Sequence, residues 1–233
     1  MILRPQFYDP VAFDRAAERK RLGLDPSAPT GLVLFGGEGS NTMFPIARSL
    51  GNAATKLQLI MICGRNAHLR RRLSELKTRN KILVEGFTKD IPYFMHLSDF
   101  FIGKPGPGSI SEALKMGLPV IVERNSWTLP QERYNTDWIR EQGVGLVLRN
   151  FRTIDRVVAD LLSGERLAEM KGKIAALQNR AVFEVTEIIA EILEKTRRNS
   201  PTEPSIASRL HVQCKYPEKL EDREPQPPRF GAP

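Results

Sequence analysis

The sequence of 233 residues is poor in the side chains that build metal centres and catalytic triads. Its two cysteines, Cys63 and Cys214, offer neither a disulfide framework nor metal-ligand spacing, and Cys63 fits a buried thiol ending an apolar strand. The three histidines are scattered, and His96 fits a packed side chain in an apolar helix. No Ser-His-Asp or Cys-His arrangement is legible, so nothing in these residues points to nucleophilic catalysis or a bound metal.

The sequence also lacks a long hydrophobic run and a secretory start. No segment approaches the roughly 18 apolar residues of a membrane-spanning helix. The opening MILRPQFYDP meets a proline and polar residues too early for a signal peptide. Hydrophobic residues make up 41% and charged residues 27%, as in soluble globular proteins. We expect one substantial domain with a tail, located in the cytoplasm, with a peripheral position at the inner face of a membrane as a further option.

Acidic residues are outnumbered by basic ones, which gives a net charge of +8. Nucleic acid, an anionic membrane face and a phosphorylated substrate all fit this balance. Aromatic residues are only 7% and do not alternate with the basic ones, which makes nucleic acid an unlikely partner. Much of the charge lies in AHLRRRLSELKTRNK (67–81), predicted to share one helix. A solvated helix face is the plainer interpretation, and a peripheral membrane contact is the alternative.

From residue 31 short apolar strands alternate with amphipathic helices. The predicted strands span 31–36, 56–64, 81–87, 99–104, 118–124 and 144–150, and the chain is then expected to be helical to about residue 197. Strands of this length separated by helices indicate a parallel sheet covered on both faces. Because crossovers in such sheets are right-handed, the pattern predicts a doubly wound, Rossmann-like α/β domain of about six strands.

The ends of the chain differ from this alternating region. Residues 1–30 are a mixed segment that fits an interdomain-type linker, and 31–195 form the predicted domain. Residues 196–233 contain seven prolines in 38 residues with little periodicity. This composition predicts a disordered, Pro-rich C-terminal tail.

Two glycine-rich loops stand at the sheet edge where parallel α/β domains bind ligands, outside the carboxyl ends of the strands. GGEGSNT (36–42) follows the first strand, and KPGPGS (104–109) follows the fourth. Glycine lets backbone N–H groups approach a ligand, and each loop leads into a helix, with Ser109 or Ser111 as N-cap of the second. Together the loops favour a diphosphate site; the alternative is that glycine only permits tight turns. Neither loop is a P-loop or a GxGxxG fingerprint.

Other residues near this edge have chemistry suited to a sugar nucleotide. Glu112, expected in the first turn of its helix, can accept hydrogen bonds from ribose hydroxyls, or can complete a capping box with Ser109. Phe87 can stack on a base, or can pack in the core. LPQERYN follows the fifth strand and is expected to place on a loop three polar side chains suited to sugar hydroxyls or to plain solvation: Gln131, Glu132 and Asn135.

Taken in order, five motifs resemble the C-terminal half of family 28 glycosyltransferases, over roughly residues 3–195: GGEGS, ICGRN, EGFT, GKPGPGSISEALKMGLPVIV and LPQERYN. This GT-B-fold family includes the monogalactosyldiacylglycerol synthases and the lipid II GlcNAc transferase, and GPGS-x-x-EA looks closer to the former. The resemblance implies a domain that binds a UDP-sugar donor for hexose transfer to a lipid or lipid-linked acceptor. It implies no cofactor and no metal, and no Asp-x-Asp motif is present.

The resemblance also implies roles for individual residues. Phe87 and Thr88 would bracket the uracil, and Glu112 would bind the ribose hydroxyls. Gln131 and Glu132 would contact the transferred sugar. The diphosphate would be lined from two sides, by Gly106, Pro107, Gly108 and Ser109 and by Gly36, Gly37, Gly39 and Ser40. The substrate-binding set is completed by Arg65 of ICGRN and by Asn135.

Family members carry an N-terminal domain that binds the acceptor and supplies the catalytic base, and RPQF lies in their interdomain linker. The resemblance therefore implies that the acceptor domain is absent from these 233 residues, and it leaves the catalytic base unknown. Transfer would need that domain in cis or from a partner protein, as in the two-subunit dolichol-linked GlcNAc transferase. The alternatives are a non-catalytic nucleotide-sugar-binding subunit of a split transferase, and a basic module that binds anionic membrane or nucleic acid.

Overall fold

A computed structural model describes residues 3–9, 13–177 and 181–199 and contains one sheet of six parallel strands. The strands are β1 (Thr30–Leu34), β2 (Gln58–Ile62), β3 (Lys81–Glu85), β4 (Phe100–Gly103), β5 (Val120–Glu123) and β6 (Gly145–Leu148). Their order in the sheet is β3-β2-β1-β4-β5-β6, and all neighbours pair in parallel. The predicted doubly wound, Rossmann-like fold is confirmed, and each strand begins and ends within about two residues of its predicted bounds.

An α-helix precedes the first strand, and the others connect the strands or follow the last one. They are α1 (Arg15–Arg21), α2 (Met43–Gly51), α3 (Ala67–Ser74), α4 (Ile91–His96), α5 (Pro107–Lys115), α6 (Pro130–Gln142), α7 (Ile154–Leu162), α8 (Arg166–Ala176) and α9 (Ala181–Asn199). Helix α9 continues past residue 196, where the tail was predicted to begin, and the rest of that tail, 200–233, lies outside the described residues. Within the described residues no helix is both long and apolar enough to cross a membrane.

The strands are mostly apolar because helices cover both faces of the sheet. Every residue of β1 and β2 is buried. Val33 points into one core cluster with α2, α3, α7 and α8, whereas Leu32 and Leu34 point into a second cluster with α4, α5 and α6. Alternation along β1 thus fixes two hydrophobic layers, one on each side of the sheet.

The described part of residues 1–30 packs on the domain. Leu3, Phe7 and Leu24 are buried in the second core cluster. A single-turn 3-10 helix, Pro5–Phe7, gives residues 3–8 a fixed path over this cluster. The position of the segment between two domains stays a prediction, but its apolar side chains belong to the core.

The basic run 67–81 does not form one helix, and that prediction is wrong. Helix α3 ends at Ser74, and residues 75–80 form a connection to β3. The position of Asn80 does not fit a helix that runs to residue 81, because its buried side-chain amide donates to the backbone carbonyls of Leu50, Ala53 and Thr55. A helix continued through this residue would break those three hydrogen bonds.

A charged cluster around Asp99 closes the amino-terminal edge of the sheet. The carboxylate accepts from Arg15 and Arg19 at 2.8 Å each, from Lys171 at 3.3 Å, and from the N–H of Thr30 at 2.9 Å. The buried guanidinium of Arg19 also donates to the carbonyls of Leu97, Pro26 and Ala28. The cluster therefore joins α1 and α8 to the central strands β1 and β4.

Ionisation of Asp99 is favoured in spite of its burial. Burial alone would raise the pKa of this carboxyl, but the charge of Arg15, the N–H of Thr30 and the hydrogen bond from Arg19 outweigh it. The pKa of Asp99 is held below its ordinary value of 3.8. A depressed pKa in the folded state contributes stability above the ordinary value, and this contribution is lost as the pH falls through the folded-state pKa.

We predict that Asp99→Asn lowers the free energy of unfolding by about 2–4 kcal/mol, because the buried guanidinium loses its counterion. Urea unfolding at pH 7 measures this loss. The difference in free energy of unfolding between wild type and variant should become smaller as the pH is lowered from about 4 towards 2, because Asp99 takes up a proton in that range. Asp160→Asn, which removes the exposed ion pair with Arg166, is the matched control and should cost less than about 1 kcal/mol. Equal effects of both variants would contradict the role given to Asp99.

Candidate functional site

The centre of the carboxyl-terminal edge is a topological switch point. Strands β1 and β4 are direct neighbours. The chain leaves β1 into α2, which packs in the first core cluster, and leaves β4 into α5, which packs in the second. Because the two connections turn to opposite faces, a crevice opens between their loops, and such crevices bind ligands in doubly wound sheets. Both predicted glycine loops lie here.

Two glycines of the loop after β1 are required by the fold. Gly36 and Gly39 have φ of 80° and 64°, a conformation that other residues rarely adopt. A Cβ on Gly39 would lie 2.4 Å from the carbonyl oxygen of Cys63. The N–H of Gly39 donates to the carbonyl of Gly36 at 3.2 Å, which closes the turn. At these two positions the tight-turn explanation is sufficient.

Three other glycines are not required by the fold. Gly37, Gly106 and Gly108 do not have positive φ. A Cβ on Gly108 meets no surrounding atom within 4 Å, and those on Gly37 and Gly106 come no closer than 4.0 Å to Arg65 and 3.8 Å to Glu132. Side chains would fit at all three positions. Their absence leaves backbone N–H groups open to a ligand on both sides of the crevice.

Helix α5 begins earlier than predicted. Gly106 is the N-cap and Pro107 is the first helical residue, so neither Ser109 nor Ser111 caps the helix, and that prediction is wrong. Proline fits the first helical position because it has no N–H to leave unpaired there. Glu112 consequently lies in the second turn, which excludes the predicted capping box. The N–H groups of Gly108 and Ser109 belong to the first turn and have no acceptor within the helix.

Arg65 links the loops that follow β1, β2 and β3. Its guanidinium lies 2.8 Å from the Glu38 carboxylate and 4.6 Å from the centroid of the Phe87 ring. Its backbone N–H donates to the carbonyl of Gly37 at 2.8 Å. Phe87 is 51% exposed, so the core-packing alternative does not apply to it. The accessible ring of Phe87 therefore lies at the same edge of the sheet, just after β3, which is separated from β4 by β2 and β1.

The residues predicted on a loop after β5 lie on a helix. Helix α6 begins at Pro130, so Gln131, Glu132 and Asn135 occupy its first two turns. The side-chain amide of Asn135 donates to the carbonyl of Pro105 at 2.9 Å. This hydrogen bond holds the turn before α5 against α6. Glu132 lies beside the same turn, near Gly106.

Two further predicted residues form local hydrogen bonds. The hydroxyl of Ser40 donates to Thr42 at 3.1 Å, just before α2 begins. The hydroxyl of Thr88 accepts from the N–H of Asp90 at 3.0 Å, next to Phe87. The predicted set thus occupies neighbouring loops and helix starts along one edge, from the end of β3 to the start of α6.

Lys104 and Arg4 are absent from the predicted set and belong to this region. The ammonium of Lys104 lies 3.7 Å from the Cβ position of Gly36, and no acidic side chain among the described residues pairs with it. Its position inside KPGPGS was the signal that could have identified it. Arg4 forms a salt bridge of 3.0 Å with Glu112, a contact that no local pattern reveals.

Cys63 and His96 pack against other side chains of the domain. Cys63 is fully buried at the end of β2, as predicted, and burial raises the pKa of its thiol to about 11. His96 packs edge-on against the ring of Phe13, also as predicted, and burial followed by the nearby Arg15 and Arg19 lowers its pKa. Across residues 3–9, 13–177 and 181–199, no three acidic, histidine or cysteine side chains gather as a metal site.

The sequence profile of the glycosyltransferase family 28 C-terminal domain matches residues 32–192, more than half of the chain. The chain belongs to this family. The resemblance inferred from its motifs is therefore confirmed, and the sheet with its glycine loops is the glycosyltransferase domain of that family.

Two curated relatives illustrate the similarity of this family 28 domain to glycolipid synthases. It is 32% identical over 203 residues to monogalactosyldiacylglycerol synthase 1 of Arabidopsis thaliana, covering 83% of this chain and 38% of that protein. It is 33% identical over 206 residues to the probable monogalactosyldiacylglycerol synthase 3 of Oryza sativa subsp. japonica, covering 83% of this chain and 40% of that protein. The chain thus spans less than half the length of these relatives.

Solved structures agree with the family 28 domain in fold. Acinetobacter baumannii MurG has a TM-score of 0.62 at 15% identity, over 78% of this chain and 57% of MurG. Anabaena HepE in complex with UDP-glucose has a TM-score of 0.60 at 18% identity, over 82% of this chain and 55% of HepE. At these identities the similarity establishes the shared fold.

We predict that Gly39→Ala destabilises the domain by about 2–4 kcal/mol, because it adds backbone strain and a clash with the carbonyl of Cys63. Gly37→Ala, two residues away, should change the free energy of unfolding by less than about 0.5 kcal/mol, since its Cβ fits. Urea unfolding of both variants tests the distinction between the two kinds of glycine. A large loss in Gly37→Ala would contradict it.

Proposed function

We propose that this domain binds the UDP-sugar donor of a glycosyltransferase, for transfer of a hexose to a lipid or lipid-linked acceptor. The diphosphate lies in the crevice between the loops after β1 and β4. The acceptor-binding part and the catalytic base come from another domain, in cis or on a partner protein. The domain contributes donor binding and stabilisation of the leaving group.

The observation that carries the proposal is the position of glycines that the fold does not need. Gly37 stands on one side of the switch point, and Gly106 and Gly108 stand on the other. At the edge where doubly wound sheets bind ligands, a glycine that relieves neither strain nor crowding is most simply explained by a ligand that approaches the backbone. The unpaired N–H groups at the start of α5 favour an anionic ligand.

The same groups fit the chemistry of the transfer. As the bond between the sugar and the diphosphate breaks, negative charge develops on the departing phosphate oxygens. N–H groups and the helix dipole of α5 are already oriented towards that charge, and stabilisation by preorganised donors lowers the barrier. Lys104, which has no acidic partner in the described part of the chain, supplies a positive charge on the same side.

The nucleoside and the sugar are assigned to side chains along the edge. The exposed ring of Phe87, with Thr88 beside it, is suited to a uracil. Glu112 has a carboxylate for the ribose hydroxyls. Glu132, which lies beside the turn at Gly106, and its neighbour Gln131 at the start of α6 are assigned to the sugar. Glu38 and Arg65 complete the wall between base and phosphates.

The proposed classes of acceptor and donor are supported by the named relatives and by one structural neighbour. The curated relatives are named as synthases of monogalactosyldiacylglycerol, a glycolipid, which supports a lipid acceptor. HepE was solved with UDP-glucose, which supports a UDP-sugar as donor. A non-catalytic donor-binding subunit of a split transferase would use the same site, and only an assay of transfer with the acceptor domain present separates the two.

The basic helix gives less support to a nucleic-acid or membrane module. Arg72 of α3 stacks over the ring of Phe44 at 4.2 Å, and the guanidinium of Arg70 lies 3.5 Å from the Cβ position of Gly86. These contacts place both guanidinium groups against the domain's own surface. With α3 ending at Ser74, the arginines and lysines of the run 67–81 do not form one continuous face.

Isothermal titration calorimetry with UDP, UDP-glucose, UDP-galactose and UDP-GlcNAc tests the proposal. We expect UDP and at least one UDP-sugar to bind with a Kd of about 1 mM or tighter, and CDP and ADP to bind more weakly. Absence of heat with all four uridine ligands at millimolar concentration would refute the site.

We predict that Gly108→Ala lowers UDP affinity by about tenfold while leaving the domain as stable as the wild type or about 0.5–1 kcal/mol more stable. The methyl group fits the fold but occupies the approach to the first-turn N–H groups. Gly172→Ala on α8, where a Cβ also meets no surrounding atom, is the matched control and should leave UDP binding unchanged. Unchanged UDP affinity in Gly108→Ala would show that no diphosphate approaches this turn.

A further inference from the structure

Residues 3–8 contact two of the elements assigned to the nucleoside. Arg4 forms its salt bridge with Glu112 on α5. Two residues further on, the side-chain amide of Gln6 donates to the carbonyl of Lys89, in the loop that carries Phe87 and Thr88. The segment therefore contacts both the helix proposed to bind the ribose and the loop proposed to bind the base, and each contact joins residues more than 80 positions apart in sequence.

The segment is held in place on the domain surface. Leu3 and Phe7 are buried in the second core cluster. The guanidinium of Arg4 lies 5.2 Å from the centroid of the Phe7 ring, and the ammonium of Lys115 on α5 lies 5.1 Å from that of Tyr8. These contacts fix the backbone from which Arg4 reaches Glu112, so the salt bridge does not rely on two freely moving side chains.

The geometry of the salt bridge leaves half of the carboxylate available. Both Nε and one Nη of Arg4 lie 3.0 Å from the same oxygen, Oε1 of Glu112. No described donor contacts Oε2. Glu112 is only 15% exposed at its side chain, compared with 50% for Arg4. Arg4 thus fixes the carboxylate from the outside, and the free oxygen remains to accept a hydrogen bond from a ligand.

We propose that Arg4 is a positioning residue that orients Glu112 for the ribose hydroxyls of the donor and so contributes to selection of ribose over deoxyribose. This inference rests on the proposed function. Arg4 does not itself touch the nucleotide; it acts through the carboxylate. An acceptor locked in one orientation binds a vicinal diol without first losing side-chain freedom, which strengthens the contact.

Affinity for two ligands separates this role from a general structural one. The ligands are UDP and 2′,3′-dideoxy-UDP, which lacks both hydroxyls, and the proteins are wild type, Arg4→Ala, Arg4→Lys, Glu112→Ala and the double variant Arg4→Ala/Glu112→Ala. For the wild type we expect UDP to bind about tenfold more tightly than the dideoxy analogue. Arg4→Ala should lose about three- to fivefold of the UDP affinity and none of the affinity for the analogue. Arg4→Lys, which retains the charge but not the two-nitrogen contact, should fall between.

The double variant tests whether Arg4 acts through Glu112. Glu112→Ala should bind UDP and the analogue about equally, and adding Arg4→Ala should cause no further loss, because coupled residues are not additive. Arg166→Ala, which removes an exposed ion pair between α7 and α8, is the matched control and should retain the wild-type ratio of the two affinities.

The outcomes distinguish the two proposals. If the wild type binds neither ligand, the proposed function fails and the role of Arg4 fails with it. If the wild type prefers UDP but Arg4→Ala keeps that preference, or loses both ligands equally, the role of Arg4 is overturned while the donor site stands. A further three- to fivefold loss in the Glu112→Ala background would likewise overturn it.

Discussion

The crossing of connections at β1 and β4 is the constraint on which the rest of the site depends. These central strands are neighbours, yet α2 packs on one face of the sheet and α5 on the other. The two connections turn away from the point between these strands, and that point is where doubly wound sheets bind ligands. The glycine turns, the start of α5 and Lys104 all face this point because each follows directly from one of the two strands.

The two edges of the sheet differ in whether key charged groups and N–H donors have partners within the domain. At the amino-terminal edge the carboxylate of Asp99 is surrounded by Arg15, Arg19, Lys171 and the N–H of Thr30, so the opposite charges there are paired. At the carboxyl-terminal edge the first-turn N–H groups of α5 and the ammonium of Lys104 are left without partners in the described structure. Groups satisfied internally stabilise a fold, whereas groups left open in a crevice bind from outside. The stabilising cluster around Asp99 and the proposed binding groups therefore lie at opposite ends of the strands.

The strands of the sheet could be predicted from the sequence because each strand is marked by a run of neighbouring apolar residues. The strands of a covered parallel sheet are short, mostly apolar runs, and all six were located from such runs. Helix starts were harder: Ser109 looked like an N-cap, but Pro107 at the first helical position moved the start of α5, and Pro130 did the same for α6. The contacts that assemble the site could not be predicted, because Asn135 reaches Pro105 across 30 residues and Arg4 reaches Glu112 across 108. Such pairs depend on the packing of helices against the sheet and leave no spacing pattern.

The proposed site divides its work between backbone and side chains. The diphosphate is assigned to N–H groups of loops that are joined by backbone hydrogen bonds, such as the one from the N–H of Arg65 to the carbonyl of Gly37. The base and ribose are assigned to the side chains of Phe87 and Glu112, whose positions depend on Arg65 and Arg4. Backbone donors recognise charge but distinguish poorly between nucleotides, whereas a stacked ring and an oriented carboxylate respond to the identity of base and sugar. In the proposed site, affinity for the phosphates therefore follows from the backbone of the fold, and selectivity for the nucleoside follows from Phe87 and Glu112 and from the two arginines that position them.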